Sequence, residues 1–248
     1  MSSYNDFAEF YDGLNLDVSY PERARYILTL FEKYDRKPSL LLDLACGTGG
    51  FSIEFAKSGI EVIGVDSSAA MLSKAYDKAQ KLGLNILFLC QKAEDLDLYG
   101  TVDGAVCCMD SVNHIIDYAE LCRSFKKVAL FLEKDRLFIF DVNTEYKHKE
   151  ILSNNTFILE NEDVFCAWQN QCSDNGVYVD MQLDFFKRTG QSSYERFTEY
   201  ITERVYLHSE LVNALNESGF LLLDVLEDMS FTKPGINSER NFYIAKRV

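Results

Sequence analysis

Two carboxylates, Asp43 and Asp66, stand 23 residues apart, each near the end of a short apolar run, "SLLLDLA" (39–45) and "EVIGVD" (61–66). Glycines at 47, 49 and 50 follow the first run. A glycine loop lets a ligand approach the backbone closely, and the helix start behind it offers free N–H groups. Counting from Gly47, a dinucleotide fingerprint needs glycine at 52, where this chain has Ser52. Asp43 also precedes Gly47 by four residues, where its charge opposes a pyrophosphate. Both details disfavour a nicotinamide oxidoreductase. An acid at position 43 suits a cationic group such as the amine of an amino acid. Asp66, at the end of the second run, can accept both hydroxyls of a ribose. The plain alternative is that both acids only cap helices. Taken together, an amine and a ribose diol describe a nucleoside joined to an amino acid, which is S-adenosylmethionine.

These residues need a frame to hold them. "SYPERARYILTLFEKY" (19–34) spaces Ile27, Leu28, Leu30 and Phe31 as a helix does. Helices are also expected over 49–59, stopped by Gly59, and from Ser67 or Ser68 to Gly83. A further helix covers "DYAELCRSFKKVALFLE" (117–133). Between them "NILFLC" (85–90), "VDGAVCC" (102–108) and "RLFIFDV" (136–142) have the length and apolarity of buried strands. Strands alternating with helices of about a dozen residues mean β-α-β units and a parallel sheet. From 150 to 206 the rhythm changes. "GVYVDMQLDFFKR" (176–188) alternates with period two, and "SSYERFTEYITERVY" (192–206) less cleanly, setting Phe197 and Ile201 against Glu199 and Glu203. This reads as an antiparallel meander inserted into the parallel domain. A helix ending at Gly219 and a closing hairpin, "LLLDVLEDMSF" with "RNFYIAKRV", complete the chain. The expected fold is α/β: a Rossmann-like, doubly wound, mostly parallel seven-stranded sheet. Residues 1–149 and 207–248 form the cofactor-binding domain, with 1–35 as lid helices and 150–206 as the insert.

"DLACGTG" (43–49) followed by "GVDSS" (64–68) resembles the first two motifs of class I S-adenosylmethionine-dependent methyltransferases. "AEDLDL" (93–98) is similar to their adenine loop, and "DGAVCCMDSVNHI" (103–115) to the segment that reaches the methyl-transfer centre. "YNDFAEFYD" (4–12) looks like the aromatic lid of the small-molecule members. The resemblance implies that Asp43, Ala45 and Gly47 meet the methionine part, Asp43 through its amine. Gly49 allows close approach, while Asp66 and Ser67 take the ribose side. Met71 lies against adenine or is a core residue, and Ala93 and Glu94 frame the adenine by main-chain N–H groups. Lys92 stands where relatives commonly carry an acid that accepts the adenine amine, so that contact is lost or moves to Gln91 or a carbonyl. Tyr4 and Tyr11, with Phe7 between them, form either a lid face over the cofactor or a packed surface. Met109 and Asn113 complete the cofactor set. Asp110 and His114 are the candidate catalytic groups, His114 as a base at neutral pH. Trp168, Tyr178 and Arg196 are the candidate substrate liners on the insert.

Bulk properties bound the partner. The 248 residues carry a formal charge of −14, with no basic run longer than Lys126-Lys127. Phosphate binding needs clustered cations, so nucleic acid is not expected as substrate. No apolar stretch reaches membrane-spanning length. The seven cysteines show no CxxC spacing, which suits free thiols in a reducing cytoplasm. Cys107 and Cys108 would point to opposite faces of a strand, so they do not join Asp110 and His114 in a metal cluster, and no metal is expected. The reading is a methyltransferase acting on nitrogen or oxygen of a small molecule, as a monomer or homodimer. The alternative is a non-catalytic S-adenosylmethionine-binding sensor or partner subunit.

Overall fold

The apolar runs become the central strands of a seven-stranded sheet. The computed structural model describes residues 19–161, 164–190 and 192–248. In chain order these are α1 (Tyr20–Lys33), β1 (Leu40–Leu44), α2 (Gly50–Lys57), β2 (Glu61–Asp66), α3 (Ala69–Lys81), β3 (Leu87–Cys90), β4 (Gly104–Cys107), α4 (Tyr118–Phe131) and β5 (Leu137–Asn143). A π-helical turn (Lys147–Leu152) leads into β6 (Thr156–Glu160), β7 (Val164–Cys172), β8 (Tyr178–Arg188) and β9 (Tyr194–Arg204). α5 (His208–Glu217), β10 (Phe220–Glu227) and β11 (Arg240–Arg247) follow.

The large sheet runs β10-β11-β5-β4-β1-β2-β3. β1 to β5 pair in parallel, whereas β11 is antiparallel to both β5 and β10. β1 therefore has β2 on one side and β4 on the other, the switch point at which open α/β sheets bind ligands. Alternating side chains feed two cores. Leu42, Phe138 and Phe140 pack with Phe125 of α4 and Leu211 of α5. Leu41, Val106 and Ile139 pack on the other face with Ile27 and Phe31 of α1 and Phe55 of α2. Gly49 (φ 76) lets α2 and α3 close up, because a Cβ there would lie 2.9 Å from the Cβ of Ala75.

β6 to β9 form a separate four-stranded antiparallel sheet. Its first two strands did not stand out in the sequence, since Asn170 of "VFCAWQNQC" is a polar residue buried among apolar ones. The pairing of β8 with β9 also corrects the sequence reading of β9. Residues two apart share a face, so Phe197, Glu199, Ile201 and Glu203 lie together rather than on opposite sides. They pair with Phe185, Leu183, Met181 and Val179. That face buries Val179, Met181 and Phe185 with Met71 of α3, and thus faces the large domain. Two carboxylates, Glu199 and Glu203, are buried within it.

Candidate active site

Asp43 is the fourth residue of β1 and is 1% exposed. The backbone then turns through Ala45 (φ 56) and Gly47 (φ 54), both left-handed. For alanine this conformation is strained, a feature typical of functional sites. The turn is fixed by the Cys46 N–H donating to Val65 O (3.0 Å) and the Gly49 N–H to Cys46 O (2.9 Å). Asp66 spans the gap between the two strand tips. Its carboxylate accepts from the Gly47 N–H (2.8 Å) and the Ser68 N–H (2.8 Å). Ser52, where the dinucleotide fingerprint has glycine, donates its hydroxyl to Asp43 at 2.5 Å. The residue that departs from the dinucleotide fingerprint is the one that fixes the Asp43 carboxyl.

Two cavities open at these tips. One is lined by Asp43, Gly47, Thr48, Tyr20 and Met109. The other, about 240 Å³, is lined by Asp66, Ser67, Ala93, Glu94 and His114. Ala45 and Ser111 line both, so together they make one slot across β2, β1 and β4. Nothing lies within 4 Å of where a Gly47 Cβ would stand, so the loop leaves the slot open. Burial pushes Asp43 up to about 7, opposed by the Ser52 hydrogen bond and reinforced by the charge of Asp66. Asp66 is also raised, chiefly by burial, although the Ser68 and Gly47 N–H groups pull it back. Two buried carboxylates with raised proton affinity fit a ligand that brings a cationic amine to one and hydroxyl donors to the other.

The loop after β4 closes the slot on the far side. Met109 (φ 58) and Asp110 (φ 51) are both left-handed, and their N–H groups donate to the two oxygens of Asp141 at 2.8 and 2.9 Å. Arg240, on β11, bonds Asp141 and also Asp110 (2.7 Å). Burial alone would raise Asp110. The Arg240 guanidinium overrides it and holds that carboxyl below the ordinary range. The loop thereby delivers Ser111 and His114 to the slot.

Known proteins carry the same architecture. The methyltransferase-domain family matches residues 41–135. A crystal structure of an S-adenosylmethionine-dependent methyltransferase from Clostridium acetobutylicum ATCC 824 is 35% identical, covers 98% of each chain and superposes with a TM-score of 0.89. YqeM of Bacillus subtilis (strain 168), a protein named as a methyltransferase, is 33% identical over 98% of this chain and 97% of its own length. The chain belongs to the class I S-adenosylmethionine-dependent methyltransferases. The sugar N-methyltransferase KedS8 of Streptoalloteichus sp. ATCC 53650 shares the fold at 18% identity (TM-score 0.78; 97% of this chain, 92% of that one).

Within this methyltransferase the other expected site residues separate. Asn113 is fully buried. Its amide donates to Arg204 O (2.9 Å) and accepts from the Asn143 N–H (3.0 Å), so it ties β9 to β5 instead of lining the slot. Asp110 is engaged by Arg240 (2.7 Å) and by the Asn143 amide (2.8 Å). Met71 packs into the core beneath the insert. Trp168 lies on the domain-facing side of the inserted sheet, against Phe157. Tyr178 and Arg196 are on the opposite side, because their parity in β8 and β9 is that of Arg204 and Phe186. Arg196 there bonds Asp184 (2.8 Å). Neither reaches the slot. Both ends of the Gln91 amide bond the main chain of Asp97, so Gln91 does not replace the missing acid of the adenine loop, while Lys92 pairs with Glu94 at 3.4 Å. Tyr4 and Tyr11 lie outside the described residues. Among the described residues, no helix is long and apolar enough to cross a membrane.

Sequence reading missed Ser52 as a partner of Asp43, and it missed Ser111, Arg240, His148 and Glu203 altogether. For Glu203 a signal existed: two acids at even spacing on the apolar face of β9.

The Asp43 geometry sets a pH dependence. Protonated Asp43 cannot pair with an ammonium group, so the amine must displace a proton once the pH falls below about 7. The dissociation constant of S-adenosylhomocysteine is expected to rise toward about tenfold per pH unit between roughly pH 7 and 5.5. In Ser52→Ala the rise begins at higher pH, because the opposing hydrogen bond is gone. Calorimetric titration across this window checks both, and a flat profile refutes the Asp43–amine contact.

Proposed function

We propose that this methyltransferase transfers the methyl group of S-adenosylmethionine to a nitrogen or oxygen of a small molecule, and that His114 accepts the acceptor's proton. When bound, S-adenosylmethionine supplies an electrophilic methyl group and leaves as a neutral thioether. Asp43, steadied by Ser52, holds the amine, and Ala45, Gly47 and Gly49 admit the methionine portion. Asp66 and Ser67 hold the ribose, Ala93 and Glu94 border the adenine, and Met109 adjoins the methionine end. The observation that carries the reading is the half-exposed His114 side chain on the wall of the same slot as Asp66.

Because the leaving group needs no proton, alignment and exclusion of water supply most of the rate. A base is needed only for the acceptor. Residues 150–206 act as a substrate-side subdomain and the remainder as the catalytic domain. A net charge of −14 supports a small acceptor over a polyanion, and the fold shared with a sugar N-methyltransferase supports an amine. Free thiols throughout the described cysteines support a cytoplasmic setting for a monomer or homodimer.

The test is a homocysteine-release screen of amines, aminosugars, phenols and carboxylates. An amine or hydroxyl compound is expected to turn over. His114→Ala should then lower kcat by about 10²–10⁴ with unchanged affinity for S-adenosylhomocysteine. Full turnover by that variant dismisses the base. Tight cofactor binding with no release from any class favours a sensor instead.

A further inference from the structure

Beneath His114 lies a buried polar chain that spans three separate parts of the fold. Glu203, from β9, is 3% exposed. One of its carboxylate oxygens is 2.7 Å from Nε2 of His148 in the π-helical turn, and the other is 3.9 Å from Nε2 of His114. The first oxygen also accepts from the Asn143 amide (3.2 Å). His148 is wholly buried, and its Nδ1 is 2.9 Å from Thr144 O. A carbonyl can only accept, so Nδ1 carries a proton. Nε2 faces the Glu203 carboxyl, and the two share one hydrogen bond.

We propose that Glu203, carried into the site by the inserted sheet, is a positioning residue whose buried carboxylate, 3.9 Å from Nε2 of His114, favours the tautomer with its proton on that nitrogen and leaves Nδ1 to take the acceptor's proton. This rests on His114 being the base of the transfer. As the acceptor gains its methyl group, its N–H or O–H bond breaks and the electron pair stays on the acceptor atom. The proton forms a bond to Nδ1 of His114, and the resulting positive charge sits opposite Glu203. Charged groups on every side favour that state or restrain it. The carboxyls of Asp66 of β2 and Asp110 of the same loop act on His114 electrostatically. Glu94 and Glu120 line the slot with it, alongside Lys92. Lys147 stands behind, its ammonium on the side-chain oxygen of Asn143 (3.0 Å).

The ligand atoms of Asp110, His114 and Glu203 lie within 4.8 Å of one another, which raises a divalent cation as an alternative. Its positions are already used: Asp110 bonds Arg240 and Asn143, and one oxygen of Glu203 bonds His148. With Arg240 and Lys147 adjacent, the geometry points to proton handling.

The chain has three histidines, so ¹⁵N imidazole spectra of the full-length protein resolve each one, assigned by single substitutions. At about pH 8, above the ordinary histidine range, wild type should show a proton on Nδ1 of His148 and, for His114, on Nε2 only. Glu203→Gln should leave His114 as a mixture of tautomers. His148→Gln, which keeps a donor toward Glu203, should leave His114 as in wild type. The proton of His114 on Nδ1 in wild type overturns the proposal even if no variant folds. With an acceptor from the screen, Glu203→Gln should lower kcat about tenfold to a hundredfold, with KM within about threefold. It should also move the acidic limb of the kcat/KM profile to lower pH, and Glu203→Asp should recover part of the rate. An unmoved limb overturns the positioning role. Absence of release from every acceptor overturns the base and the transferase reading, whatever the tautomers show.

Discussion

Replacing Arg240 with methionine should destabilise the folded chain by about 3–5 kcal/mol, because it strands two buried carboxylates that share one guanidinium. For a chain of this size that is roughly a 6–20 °C fall in Tm, readable by calorimetry. Asp110 and Asp141 are both buried against Arg240, at side-chain exposures of 15% and 2%. Asp141 also anchors the two left-handed residues Met109 and Asp110 by their N–H groups. The variant should therefore loosen the segment that carries His114 as well as lower the melting point. Adding Asp110→Asn and Asp141→Asn removes the stranded charges and should restore part of the lost stability, since the Asp141→Asn amide keeps one acceptor oxygen for the two N–H groups. A loss under about 1 kcal/mol for Arg240→Met would mean that the triad behaves like a surface ion pair.

Asp66→Ala should weaken binding of S-adenosylhomocysteine by about a hundredfold or more. Two hydrogen bonds from ribose hydroxyls to a charged acceptor are together worth about 3–6 kcal/mol. Part of that is offset, since the carboxylate of the free protein already accepts from Gly47 and Ser68. Losing those two bonds should lower Tm by several degrees without loss of cooperative unfolding. Asp66→Asn keeps an acceptor oxygen and should fall between the two. Calorimetric affinity and a melting curve on the same samples separate a binding defect from a folding one. Unchanged affinity in Asp66→Ala removes the ribose assignment.

The meeting of the two acids and the glycine loop was legible because these parts are local. Asp43, the glycine loop and Asp66 lie within one β-α-β unit, whose strand ends must come together once the strands pair in parallel. Strand length, glycine position and acid position therefore follow from chain order. Ser52 was read only as a missing glycine, since its reach back to Asp43 depends on the angle at which α2 leaves the loop.

The acceptor half was not legible, because its partners are distant in sequence. Arg240 meets Asp110 across 130 positions, and Glu203 meets His148 across 55. Nothing in a single strand's pattern says which opposing element will neutralise a buried acid. Parity alone does separate Trp168 from Tyr178 and Arg196, but only after the pairing register fixes which face of the insert is covered. By itself the sequence determined the parallel sheet, its order of elements and the two acids at neighbouring strand ends, because period and turn chemistry act over a few residues. The tertiary structure alone decided which acids remain available for chemistry. Burial and pairing across the insert are properties of the packed chain, and they reassign Asp110 to Arg240 and bring Glu203 under His114.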